Sequence, residues 1–115
     1  MGGNALKKTF TRRYMAGEYF FLENEVVGNL VSAYPELRVS TIPAYADKES
    51  FGDMDVMIEY RDDIDYMDIV NSFSPNEVYR NGKVISFDYK DIQIDLVLTT
   101  LRPKEAKILA SYRLH

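Results

Sequence analysis

Gly52-Asp53-Met54-Asp55-Val56 and, about forty residues later, Ile92-Gln93-Ile94-Asp95-Leu96-Val97-Leu98 are the two stretches on which the fold turns. Both read as strands, and in a strand alternate side chains share a face. Asp53 and Asp55 therefore point one way, while Met54, Val56 and Ile58 point the other way into a core. On the later stretch Ile92, Ile94, Leu96 and Leu98 form the apolar face, with Asp95 opposite them beside Gln93. If the two strands are neighbours, all three acids converge on the less buried face. Carboxylates that share one point repel each other unless a cation sits among them, so the spacing points to a divalent-metal site. The competing reading of Asp53 and Asp55 alone is a solvated strand end. Asp95 resists that reading, because a carboxylate between Ile94 and Leu96 in mid-strand is costly unless paired.

Composition narrows the chemistry. At 115 residues the chain has room for one domain with a core of its own, and the expectation is a single unit over 1–115. A hydrophobic content of 46% against 28% charged residues fits a globular protein rather than a disordered one. The net charge of -4 argues against a surface that grips nucleic acid through phosphate contacts alone. There is no cysteine, which excludes disulfides, thiolate metal sites and cysteine nucleophiles. The only histidine, His115, is the last residue, so a Ser-His-Asp triad or a histidine-rich metal centre is excluded as well. A metal here needs oxygen ligands, which favours magnesium, manganese or calcium. No apolar run has the length of a membrane span and no signal-peptide core is present, so the expected setting is cytoplasmic, away from membranes.

Around the two decisive stretches the chain divides into short elements. Residues 1–15 are polar and basic (Lys7, Lys8, Arg12, Arg13) and read as an arm or irregular lead-in. Apolar residues at helical spacing (Phe20, Phe21, Val26, Val27, Leu30, Val31) predict a helix over about 17–34, ended by Pro35. A strand over about 37–45, bearing Pro43, suggests an edge. Next come a polar turn over 47–52, the strand over 53–60, and a short helix over about 64–73 stopped by Ser74-Pro75. Strand-like runs at 77–80 and 84–89 flank Asn81-Gly82, a strong hairpin signal. After the strand over 91–99, Pro103 can open a last helix over 104–114. The order has no regular βαβ repeat. It predicts an α+β fold: a mixed, mainly antiparallel sheet of four to five strands with helices packed on one face.

The remaining charged and aromatic residues have plainer explanations. Asp62, Asp63, Asp65 and Asp68 surround the start of the short helix, where negative charge suits the helix dipole. Asp88 and Asp91 flank an expected tight turn, and turn chemistry accounts for both. Lys7, Lys8, Arg12 and Arg13 read as a solvated arm before they read as phosphate ligands, and most of the tyrosines as core or edge residues.

With the acids in place, the chain resembles the polymerase-β-type nucleotidyltransferases. Their core is a strand, a small-residue turn, a strand opening Asp-x-Asp, and a later strand with a third acid. Residues 39–44 match the first strand, Asp53-Met54-Asp55-Val56-Met57-Ile58 the second, and Ile92-Gln93-Ile94-Asp95-Leu96-Val97 the third. The stretch from Ala44 through Asp55, with Gly2-Gly3-Asn4-Ala5-Leu6-Lys7, looks most like phage-encoded members, which implies a host cytoplasm. Ala44-Tyr45 stands where the family has its small turn residues. The resemblance implies a palm-like fold and a Mg2+- or Mn2+-dependent transfer of a nucleoside monophosphate from a nucleoside triphosphate to an acceptor hydroxyl, with release of pyrophosphate. It implies that Asp53, Asp55 and Asp95 hold the metals and carry catalysis, and that Tyr45, Lys48, Ser50 and Gly52 bind the nucleotide. The acceptor stays open among a nucleic-acid end, a protein and a small molecule. The family adds a C-terminal helical region, whereas this sequence ends at Arg113-Leu114-His115, which reads as a fragment or a minimal form. Two other readings use the same residues: a non-catalytic nucleotide- or partner-binding domain, and a metal-dependent phosphoester hydrolase.

Overall fold

In the computed structural model, which describes residues 5–41 and 50–99, the elements run β1 (Tyr14–Met15), α1 (Ala16–Ala33), β2 (Val39–Thr41), β3 (Ser50–Phe51), β4 (Asp53–Glu59), α2 (Tyr66–Asn71), β5 (Val78–Asn81), β6 (Val84–Tyr89) and β7 (Ile92–Thr99). β1 and β3 pair as a small ribbon, and the other strands form one sheet in the order β2-β4-β7-β6-β5. Every pair in the sheet is antiparallel except β4 and β7, which run parallel. A parallel neighbour needs a long crossover, and here α2, β5 and β6 fill it. The expected α+β architecture, a mixed and mainly antiparallel sheet with helices on one face, is the one observed.

Burial in the central strands follows the period of two. On β4, Met54, Val56 and Ile58 are fully buried while Asp53, Asp55, Met57 and Glu59 are half-buried. β7 contributes Ile92, Ile94, Leu96 and Leu98 to the same buried face, and β6 contributes Ile85 and Phe87. Both helices pack into this face and share a single core with it. The acids are left on the opposite side of the sheet.

α1 takes a different rotation from the one its most apolar residues suggest. Its buried stripe is Tyr19, Leu22, Val26 and Leu30, at spacings of three and four, whereas Phe21 is 74% exposed and Phe20 and Val31 also face outward. A tyrosine wins the inner position because its ring stacks on Phe51, with centroids 4.2 Å apart. α2 is shorter than expected. Asp65 caps its first turn by accepting from the Met67 and Asp68 amides at 3.1 and 3.3 Å, and the chain leaves the helix before Ser74, whose φ of 52° is left-handed.

The hairpin turns fall one residue from the simplest reading. Asn81 pairs with Val84, so the two-residue loop is Gly82-Lys83 with Gly82 at φ 60°. Tyr89 pairs with Ile92, which makes Lys90-Asp91 the second loop, with φ of 50° and 66°. Positive φ at both positions is the demand of a type I′ turn. Non-glycine residues meet it here under tertiary support: Tyr14 Oη donates to the Lys90 carbonyl, the Arg12 amide donates to the Asp91 carbonyl at 2.8 Å, and Lys90 Nζ pairs with Glu25 at 2.8 Å.

The lead-in is a docked segment over its described part. Leu6 and Tyr14 are buried, and the Lys7 and Lys8 amides both donate to the Glu77 carboxylate at 3.0 Å. Of the expected turn over 47–52, residues 47–49 lie outside the described residues and Ser50–Phe51 are instead the strand β3, paired with β1. The expected helix over 104–114 lies outside the described residues. Among the described residues no helix is long and apolar enough to cross a membrane.

Candidate metal centre

The register of the parallel pair brings the acids together. Asp55 stands directly beside Asp95, and Asp53 beside Gln93. All three aspartates offer carboxylate oxygens that lie within 4.8 Å of one another. Strand period and neighbour order are enough to produce this. Two residues apart on β4 share a face, and parallel pairing with β7 puts Asp95 on that face.

Neighbouring strands fix the Asp95 carboxylate. Ser86, its partner across the antiparallel β6–β7 pair, donates to Oδ1 at 2.7 Å, and Gln93 Nε2 donates to the same oxygen at 2.8 Å. Gln93 is itself buried, and its Oε1 accepts from the Ala5 and Leu6 amides at 3.1 and 3.3 Å. Two backbone donors on one end of the amide force its NH2 end toward Asp95. The N-terminal segment therefore orients a site carboxylate through one glutamine.

Burial and mutual repulsion dominate the electrostatics of Asp55. Burial, followed by the charges of Asp53 and Asp95 and a hydrogen bond with Asp95, pushes the Asp55 carboxyl up to about 6. Burial, with Glu23, Asp55 and Asp53 nearby, also pushes the Tyr19 hydroxyl well above its usual value. Among the described residues no lysine or arginine forms an ion pair with Asp55 or Asp95. An all-oxygen donor set of three carboxylates in mutual reach suits a hard divalent cation. A cavity of about 490 Å³ adjoins the acids and is bounded by Asp55, Asp95, Val84, Val97 and Tyr79.

The other expected site residues divide. Ser50 and Gly52 sit at the entry to β4, three and one residues before Asp53. Tyr45 and Lys48 lie outside the described residues. Arg13, read from sequence as part of a solvated arm, reaches this entry: its Nε donates to Ser50 Oγ at 2.9 Å and its Nη2 to the Ser50 carbonyl at 3.1 Å. Its Nη1 backs Gly52 so closely that a Cβ there would stand at 3.0 Å.

Sequence reasoning also passed over Ser86 and Gln93. Their only signal was polarity at open-face positions of apolar strands. Asp88 is a correction. It lies in β6, as the strand over 84–89 predicts, but turn chemistry does not account for it: it is buried, and accepts from the Asn76 amide and side chain and the Glu77 amide at 2.8, 2.9 and 2.8 Å. Asp91 does occupy the turn. The plain reading of Asp65 as a helix cap holds. No protein-family model matches the chain, and no curated protein matches it.

Proposed function

We propose that the chain is a divalent-metal-dependent nucleotidyltransferase of the polymerase-β type, moving a nucleoside monophosphate from a nucleoside triphosphate to an acceptor hydroxyl. One observation carries the reading: Asp53, Asp55 and Asp95 come within 4.8 Å of one another on adjacent strands, at the edge of a cavity. Asp53 and Asp55 would hold the metal ions, and Asp95 would complete the site. Bound Mg2+ or Mn2+ supplies charge stabilisation at the phosphates and lowers the pKa of a nearby hydroxyl. The acceptor oxygen bonds to the α-phosphorus while the bond from that phosphorus to the bridging oxygen breaks. Pyrophosphate leaves with the electron pair, and the hydroxyl proton passes to the Asp95 carboxylate. The triphosphate lies by the turn into β4, near Ser50, Gly52 and the Arg13 guanidinium; Tyr45 and Lys48 enter this proposal from the sequence alone.

Incubation of the full chain with each α-labelled nucleoside triphosphate, Mg2+ or Mn2+ and a panel of acceptors tests this reading. Label should move to an acceptor, and Asp95→Asn should abolish transfer while the circular dichroism spectrum is unchanged. An active Asp95→Asn variant would remove that residue from catalysis.

A second reading is a non-catalytic nucleotide- or partner-binding domain of the same fold. The capture of both Ser50 oxygens by Arg13 favours it, because those polar groups are already engaged within the protein. Thermal stabilisation by nucleoside triphosphate without turnover would select this version.

A further inference from the structure

We infer that the cavity beside Asp55 and Asp95 is the acceptor subsite, and that it takes one nucleoside-sized molecule with a flat ring, a free hydroxyl and an anionic group. The inference rests on the transferase reading and names its acceptor class. The cavity, about 490 Å³, falls within the roughly 300–1,000 Å³ typical of sites for single small ligands. Strand register arranges its walls. Val84 stands opposite Val97 and Tyr79 opposite Ser86, all on the sheet face that carries Asp95. The two valines make an apolar floor, and Tyr79, 50% exposed and outside the core, offers its ring as a wall. The acids close one end, and among the described lining residues Lys7 is the one cation.

That distribution selects among acceptors. A flat ring lies over the valines against Tyr79 and places a hydroxyl at the acid end. The Lys7 ammonium suits a phosphate or carboxylate on the acceptor. A nucleic-acid strand binds through many neutralised phosphates, whereas this chain has a net charge of -4.

The test is an NMR titration of the full chain, with Mg2+ present, using the four nucleoside 5′-monophosphates, the four nucleosides and a short single-stranded oligonucleotide. At least one monophosphate should shift the signals of Lys7, Tyr79, Val84 and Val97. Tyr79→Ala should weaken that binding about tenfold, as loss of a stacking surface does, and Tyr79→Phe should restore it. Lys7→Ala should weaken the monophosphate and leave the matching nucleoside unchanged. Tighter binding of the oligonucleotide through the same residues would overturn the inference, as would no shift with any mononucleotide. Label transfer to an acceptor that leaves these signals unmoved would keep the transferase reading and overturn the subsite. Monophosphate binding without transfer to any acceptor would overturn the transferase reading, and the acceptor role with it.

Discussion

Asp55 shows most sharply how the site and the fold oppose each other. Its carboxyl is raised to about 6 because it is partly buried beside two other acids, so folding without a cation forces it to keep its proton or endure repulsion. Asp55→Asn should therefore raise the melting temperature in chelator at neutral pH and remove any stabilisation by Mn2+, both read by differential scanning calorimetry. Gln93 acts in the opposite sense, satisfying two backbone donors and one carboxylate at once. Gln93→Ala should destabilise the chain by about 1–3 kcal/mol, the cost of leaving buried donors unmade, measured by urea unfolding. The acids were legible in the sequence because strand period alone puts them on one face. The role of Gln93 was not, because its partners at the N-terminus are 87 and 88 residues away in the chain and no local pattern announces such a pairing.

Among the elements, the Lys90-Asp91 loop depends on what surrounds it. Two non-glycine residues at positive φ are held by Tyr14, the Arg12 amide and the Glu25 carboxylate of α1. Hydrogen bonds from Lys90 and then Tyr89 hold the Glu25 carboxyl below its ordinary 4.5. A depressed acid contributes stability above its unfolded value and loses it as pH falls through the folded one. Glu25→Gln should accordingly lower the urea midpoint near neutral pH, with the difference from the parent closing once the medium is acid enough to protonate the carboxyl. The strands of the main sheet and the existence of both hairpins were readable because apolar alternation and turn residues are local signals, whereas β1 and β3 fall in stretches that read as an arm and a turn. The rotation of α1 was not. Phe20 and Phe21 are the more hydrophobic residues, but the stack of Tyr19 on Phe51 decides which side faces the sheet.

For the whole molecule, the sheet separates two tasks. One face holds the shared helix–sheet core, and the other holds the acids, their hydrogen-bonded supports and the cavity. The α+β class followed from element order, but the neighbouring of β4 and β7 did not. That pairing joins strands separated by a long crossover, and it converts three aspartates in a line of sequence into one cluster. The claim that this cluster is a cation site can be measured directly by following Mn2+ electron paramagnetic resonance while the full chain is titrated, alone and with nucleoside triphosphate, beside Asp53→Asn and Asp95→Asn. The free Mn2+ signal should fall saturably with the parent chain, further when nucleotide is present, and remain with either variant. A signal unaffected by the parent chain, or lowered equally by the variants, would contradict a metal centre at Asp53, Asp55 and Asp95.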